Sequence, residues 1–141
     1  MNVDWEKYLQ LYETAMKQIY SETLLDHGRN PRNLGDLEKA NAFGIVSGTC
    51  GDTIEMWLKV EDNKIAEISF TTDGCMTSLA AGSMATEMAK GKTLIEAQKL
   101  SQQDVLDALG GLPKDSEHCA LLAVDTLKEA IRNYQSMKKS P

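Results

Sequence analysis

Ile54, Met56, Leu58 and Val60 alternate with Glu55, Trp57, Lys59 and Glu61, and this period of two constrains the fold more than any other feature of the chain. Successive side chains of a strand point to opposite faces, so the segment reads as a half-buried strand whose apolar face needs cover. Asp62-Asn63 follow at once, two residue types that tolerate left-handed backbone angles. Ala66, Ile68 and Phe70 then share a face. The spacing predicts a hairpin, and so short a connection makes the pairing antiparallel. Upstream, Phe43, Ile45 and Ser47 alternate with Gly44 and Val46 and predict another strand, joined to the hairpin through a turn over 48–52.

Helical spacing dominates elsewhere. Trp5, Tyr8, Leu9, Tyr12, Met16, Ile19 and Tyr20 recur every three or four residues and predict a helix over 4–26. Asp26-His27-Gly28 and Asn30-Pro31 are expected to stop it, His27 being a helix-end residue and 27–41 an extended connection. A helix over 76–90 is expected to end at Gly91, and its run Ala80-Ala81-Gly82-Ser83 permits close approach to a neighbour. Thr93 with Glu96 matches a capping box, and Ser101 caps a short helix that ends at Gly110-Gly111. From about residue 116 a last helix carries Ala120, Val124, Leu127, Ile131 and Tyr134 on one face, with Asp115, Ser116 and Glu117 as capping residues. Residues 137–141 read as a frayed tail. The expectation is one α+β domain over 1–141, a small three-stranded antiparallel sheet with helices packed against it and an N-terminal helix as an extension.

A chain of 141 residues can bury a core without a metal or a disulfide, and 42% hydrophobic with 26% charged residues is an ordinary globular balance. No stretch approaches the roughly 18 consecutive apolar residues of a membrane span. The start, with Asp4 and Glu6, lacks the basic-then-apolar pattern of a secretory signal and is too acidic for a transit peptide, which predicts a cytoplasmic protein. A net charge of −6 argues against nucleic acid as the partner, because phosphate neutralisation needs a basic surface. Basic proteins and metal cations suit an acidic chain better.

Three cysteines cannot form a closed set of disulfides. Inert buried thiols would occupy core faces, yet each of these sits beside a turn: Gly48-Thr49-Cys50-Gly51-Asp52, Asp73-Gly74-Cys75, and His118-Cys119 after Gly111-Leu112-Pro113. Cys75 and Cys119 fall at predicted helix N-termini, where partial positive charge favours thiolate, the form that both ligates metals and attacks electrophiles. Asp52, two residues from Cys50, adds a carboxylate that serves no packing purpose. His118 supplies an imidazole ligand or base, or else caps the helix. There is no CxxC pair and no HxE with PCxxC, so zinc-ribbon and deaminase signatures are absent. Spacing alone leads to three activated thiols with an acid and a histidine, a candidate soft-metal site.

The pieces Tyr20-Ser21-Glu22, Asp26-His27, Asn30-Pro31-Arg32-Asn33, Gly48-Thr49-Cys50-Gly51-Asp52, Thr72-Asp73-Gly74-Cys75, Leu112-Pro113 and His118-Cys119-Ala120 resemble, in order, the IscU/NifU N-terminal family of iron–sulfur cluster assembly scaffolds. The likeness runs from about residue 20 to residue 134. It implies that Cys50, Cys75 and Cys119 ligate a 2Fe–2S cluster, with 4Fe–4S as the alternative and Zn2+ as an occupant of the cluster-free form. It further implies that Asp52 ligates or promotes release, that His118 is an auxiliary ligand, and that Cys119 accepts sulfur as a persulfide from a cysteine desulfurase. A ferredoxin-like donor would supply electrons, and apo iron–sulfur proteins would receive the cluster. Such a protein is a scaffold or carrier, without independent turnover. Where the family often reads Leu-Pro-Pro-Val-Lys and is grasped by an Hsp70-type chaperone, this chain continues Leu112-Pro113 with Lys114-Asp115-Ser116-Glu117, so the resemblance does not extend to that chaperone. The first twenty residues exceed the family's usual start, and their apolar stripe either packs on the domain or forms a homodimer contact.

Two rivals remain at this level. A zinc-bound persulfide relay of the SufU type is similar at Cys50, Asp52, Cys75 and Cys119, but usually lacks the histidine and carries an insertion between the last two cysteines. A thiol enzyme would pair Cys119 with His118, but adjacent helical residues point about 100° apart and are expected to be poor partners.

Overall fold

The computed structural model describes residues 2–49 and 51–139. Its sheet has the order β1 (Ala42–Ser47), β2 (Thr53–Glu61), β3 (Lys64–Thr72), antiparallel throughout. Ile54, Met56, Leu58 and Val60 are buried as the alternation requires. Asp62 and Asn63 take φ of 52° and 61°, the two left-handed residues of a type I′ turn whose twist suits a hairpin.

The face of β3 departs from the sequence reading. Leu58 faces Ile68 and Lys59 faces Glu67, but Val60 faces Ile65, so Ala66 is the extra residue of a bulge. Ile65 therefore joins Ile68 and Phe70 in the core, and Ala66 is exposed. On β1 the larger side chains, Phe43 and Ile45, point outward, and Phe43 packs on the Trp57 ring at 5.2 Å between centroids. Ala42 and Gly44 face inward instead, because the last helix lies close against them: a Cβ at Gly44 would stand 2.5 Å from the Ala130 nitrogen.

The predicted helix over 4–26 is two helices, α1 (Trp5–Ile19) and α2 (Glu22–Arg29). Tyr20 is extended, and the Ser21 hydroxyl accepts from the Leu24 N–H and starts a new helix. Asp26-His27-Gly28 continue α2 rather than ending it. Gly28 serves packing, since a Cβ there would meet Met76 Cγ at 2.4 Å. The chain then runs beside β3, with Gly35 N–H donating to the Phe70 carbonyl and Phe70 N–H to that of Asn33. α1 buries none of its residues: Trp5 is 66% and Ile19 61% exposed, and the Arg29–Glu13 ion pair at 2.9 Å links it to α2. Among the described residues no helix is long and apolar enough to cross a membrane.

α3 (Met76–Ala89), α4 (Leu94–Gln98), α5 (Gln102–Leu109) and α6 (His118–Lys139) follow. The expected capping box of Thr93 with Glu96 closes, and Ser101, expected as a cap, forms a second box with Asp104. The small run on α3 works as expected: Ala80 and Ala81 are fully buried, and a Cβ on Gly82 would strike the Phe70 ring at 2.4 Å. A 3-10 turn, Lys114–Ser116, leads into α6, which begins at His118 and stays helical through Met137 and Lys138 to Lys139 where fraying was expected. Its Ala120, Ala123, Leu127, Ala130 and Ile131 are buried, so α3 and α6 together cover the apolar face of the sheet.

Candidate thiol and metal site

The start of β2 and the turn before α3 are tied together. Thr53 N–H donates to Asp73 Oδ1 at 2.8 Å, the Thr72 hydroxyl donates to the Thr53 carbonyl at 2.8 Å, and Gly74 N–H donates to Thr72 Oγ1 at 3.1 Å. This lacing brings Asp52 to the first turn of α3. There the Ser78 hydroxyl donates to Asp52 Oδ2 at 2.9 Å.

Cys75 is the N-cap of α3 and is exposed. Its sulfur lies 3.1 Å from Thr77 Oγ1. That hydroxyl is the main reason the Cys75 thiol titrates below its ordinary value. The Thr77 and Ser78 backbone N–H groups add to the effect, against burial and the Asp52 charge. Cys119, the second residue of α6, is only 2% exposed. Its sulfur is 3.5 Å from Thr77 Oγ1, 3.5 Å from Ser78 Oγ and 3.7 Å from His118 Nε2.

Three of the five residues singled out by sequence, Asp52, Cys75 and Cys119, thus gather around two buried hydroxyls, and a fourth, His118, joins them through the Cys119 sulfur; Cys50 lies outside the described residues. Two expectations are corrected. Cys119 faces the core rather than standing clear of it, because the first turn of α6 packs directly beneath α3. His118 is not held away from Cys119: at the start of the helix its ring folds back toward the neighbouring sulfur. Among the described residues no three His, Cys, Asp or Glu groups close on a single ion point. Thr77 stands between the two sulfurs instead. Thiols, imidazole and one carboxylate are the donor set of a soft or borderline cation, and in character they fit zinc or iron–sulfur cargo. Beside His118 a cleft of about 190 Å3, lined also by Val46, Ser47, Gly48, Thr49 and Leu121, leads to solvent.

Sequence reasoning missed Thr77 and Ser78. Hydroxyls two and three residues after a helix-opening cysteine were visible, but such residues are common in first turns as caps. His27, expected at a helix end, lies in the last turn of α2 and is buried there, with Nδ1 2.7 Å from Ser83 Oγ.

A family model described as the NifU-like N-terminal domain matches residues 19–141. The iron–sulfur cluster assembly scaffold protein IscU 1 of Archaeoglobus fulgidus is 50% identical over 117 residues, covering 82% of this chain and 76% of that one. The iron–sulfur cluster assembly scaffold protein IscU of Aquifex aeolicus is 43% identical over 118 residues, covering 82% and 75%. Among solved structures, the N-terminal part of a NifU-like protein from Brucella abortus has a TM-score of 0.67 at 21% identity, covering 89% of this chain and 99% of that one. A protein of Fervidobacterium islandicum described as a putative iron–sulfur cluster assembly scaffold for the SUF system has a TM-score of 0.64 at 23% identity, covering 81% and 97%. At those identities the likeness is one of fold. On the match over 19–141, the close relatives and the shared architecture, this chain belongs to the NifU-like N-terminal domain family.

Proposed function

We propose that the protein is a scaffold on which an iron–sulfur cluster is built as cargo and from which it passes to apo acceptor proteins. The observation that carries this reading is the convergence of Asp52, Cys75 and Cys119 around Thr77 and Ser78, with His118 against Cys119, in a chain 50% identical over 117 residues to a named scaffold. Cys50, Cys75 and Cys119 are assigned as the thiolate ligands of a 2Fe–2S cluster, with Asp52 as oxygen ligand and His118 as auxiliary. Cys119 thiolate attacks the outer sulfur of a desulfurase persulfide. The old S–S bond breaks, the desulfurase thiolate leaves, and Cys119 carries the persulfide. Taking that sulfur to sulfide requires two electrons, which a ferredoxin-like donor supplies. Because Cys119 is buried, the rim made by Thr77 and Ser78 gives way for the attack. Stable ferredoxin sites use four cysteines, so three with an oxygen or imidazole ligand favour a cluster that is readily surrendered.

The test is anaerobic incubation with a cysteine desulfurase, cysteine, reductant and ferrous iron, followed by iron, zinc and acid-labile sulfide analysis with a visible spectrum. Matched iron and sulfide with charge-transfer bands, absent in folded Cys75→Ser and Cys119→Ser variants, is the expected result. Tightly held zinc, no iron uptake and sulfur stalled as persulfide on Cys119 would instead assign a zinc-bound sulfur relay.

A further inference from the structure

Ser78 is fully buried, and its hydroxyl has one hydrogen to give. The Asp52 carboxylate 2.9 Å away can only accept, so that hydrogen is committed to Oδ2. Toward Cys119, 3.5 Å distant, the same oxygen presents lone pairs. Ser78 therefore touches both a carboxylate on the β1–β2 turn and a thiol on α6, from a third element, α3. Gly74 completes the arrangement. A Cβ there would lie 2.5 Å from Ser78 Oγ and 2.8 Å from Asp52 Oδ2, so only a residue without a side chain leaves room for the contact. The turn residue, the helix residue and the carboxylate are fitted to one another.

We infer that Ser78 is a positioning residue for Asp52: by holding Oδ2 it orders the carboxylate at the first turn of α3 for metal binding. The inference deepens the scaffold reading and rests on its assignment of Asp52 as a ligand. Ligating carboxylates that lose such an outer partner typically bind their metal about 10–100-fold more weakly, because the free carboxylate must be ordered on binding. Asp52 has the more to lose because it stands at the end of a turn and is only partly buried.

The experiment is a Zn2+ competition titration against a chromophoric chelator, at fixed pH and salt, on the full chain. It compares wild type, Ser78→Ala, Asp52→Ala, the double variant and Ser78→Thr, each checked for folding by circular dichroism. Ser78→Ala is expected to weaken Zn2+ binding by about 10–100-fold in the wild-type background and by less than about twofold in the Asp52→Ala background, since the effect runs through that carboxylate. Co2+ substituted into Ser78→Ala should give the visible spectrum of the Asp52→Ala variant rather than that of wild type. Ser78→Thr, which keeps the donor, should restore most of the affinity. Equal losses in both backgrounds, or a folded Ser78→Thr as weak as Ser78→Ala, would mean that Ser78 acts by packing and would overturn the inference. A wild-type chain that assembles a cluster while Ser78→Ala binds zinc normally would overturn it alone. The full zinc pattern without cluster assembly would uphold Ser78 and sink the scaffold reading.

Discussion

Replacing Gly44 by alanine tests how the fold delivers Cys119 to the site. The added Cβ would lie 2.5 Å from Ala130 nitrogen, 2.8 Å from the Thr126 carbonyl oxygen and 2.9 Å from Ala130 Cα. Comfortable separations of such atoms are near 3.5–4.0 Å, so α6 must retreat from β1 by about 1 Å. Every obstacle is backbone, and no rotamer change relieves it. A gap of that size forfeits roughly a quarter to a half of each contact it opens, among them those of the buried Ala123, Leu127 and Ala130. Overpacking of this kind costs about 1–3 kcal/mol, and the rigid obstacle places it near the upper end. The lower entropy of alanine in the unfolded chain returns about 0.5–1 kcal/mol. A net loss near 2 kcal/mol lowers Tm by about 5–8 °C for a chain of this size.

Gly48 is the internal control. A Cβ there meets Leu122 Cδ2 at 3.4 Å, an ordinary contact with a movable side-chain end, so Gly48→Ala should stay within about 1 kcal/mol of wild type. Calorimetric Tm and the urea midpoint measure both variants. Because α6 opens with His118 and Cys119, its retreat should also weaken Zn2+ binding by Gly44→Ala in step with the lost stability. Equal effects at the two glycines, or an unchanged Tm for Gly44→Ala, would refute the claim that β1–α6 closeness sets the position of the site.

Asp52→Ala should leave a reconstituted cluster longer-lived against a chelator, read from the decay of its visible bands, because in the proposed scaffold Asp52 is the labile ligand that a competitor displaces first; faster decay would reject the view of Asp52 as the weak link. His27 titrates below its ordinary value of about 6.5, first through burial and then through the Arg32 charge, which together outweigh Asp26 and Glu87. The unfolded chain thus takes up this proton at higher pH than the folded one, so the urea midpoint should hold above about pH 6.5 and fall as pH drops toward the folded-state value. His27→Gln should flatten that fall. Removing residues 1–19 deletes a helix with no buried residue and one exposed ion pair worth under about 1 kcal/mol, so Tm should move by less than about 3 °C. A larger drop would mean that α1 packs on the domain.

What was legible in the sequence was whatever a short-range rule dictates. The β2 alternation, the Asp62-Asn63 turn, the Thr93–Glu96 capping box, the Ser101 cap and the small run on α3 all depend on residues within a few positions of one another. The misses came where a distant element decides. One extra residue in β3 moved the core face from Ala66 to Ile65, because a strand reverses its faces with each residue. Which side of β1 is inward was decided by the approach of α6, which admits Gly44 and excludes Phe43. The apolar stripe of α1 runs on through Tyr20 and hid the new helix that Ser21 caps. At the site, the turns that carry Asp52, Cys75 and Cys119 could be seen, but their meeting through Thr77 and Ser78 could not, since it joins three elements far apart in the chain.

That meeting bears on how a carrier lets go. A site whose polar groups are orphaned when empty holds its cargo by the cost of losing it, about 1–3 kcal/mol for each buried group left unpaired. Here both sulfurs of the described site have hydroxyl neighbours of their own. Cys75 meets the Thr77 hydroxyl, Cys119 meets the hydroxyls of Thr77 and Ser78, and Asp52 keeps the Ser78 hydrogen. Left unsatisfied on release, the buried Cys119 thiol alone would slow it by roughly tenfold, at about 1.4 kcal/mol per factor of ten, were its cost fully paid in the barrier. In the proposed role the hydroxyls therefore do two things: Ser78 orders Asp52 for capture, and the pair offers the thiols a polar contact once the cluster has gone. Replacing both hydroxyls with apolar groups would thus weaken capture through Asp52 and slow surrender through the thiols.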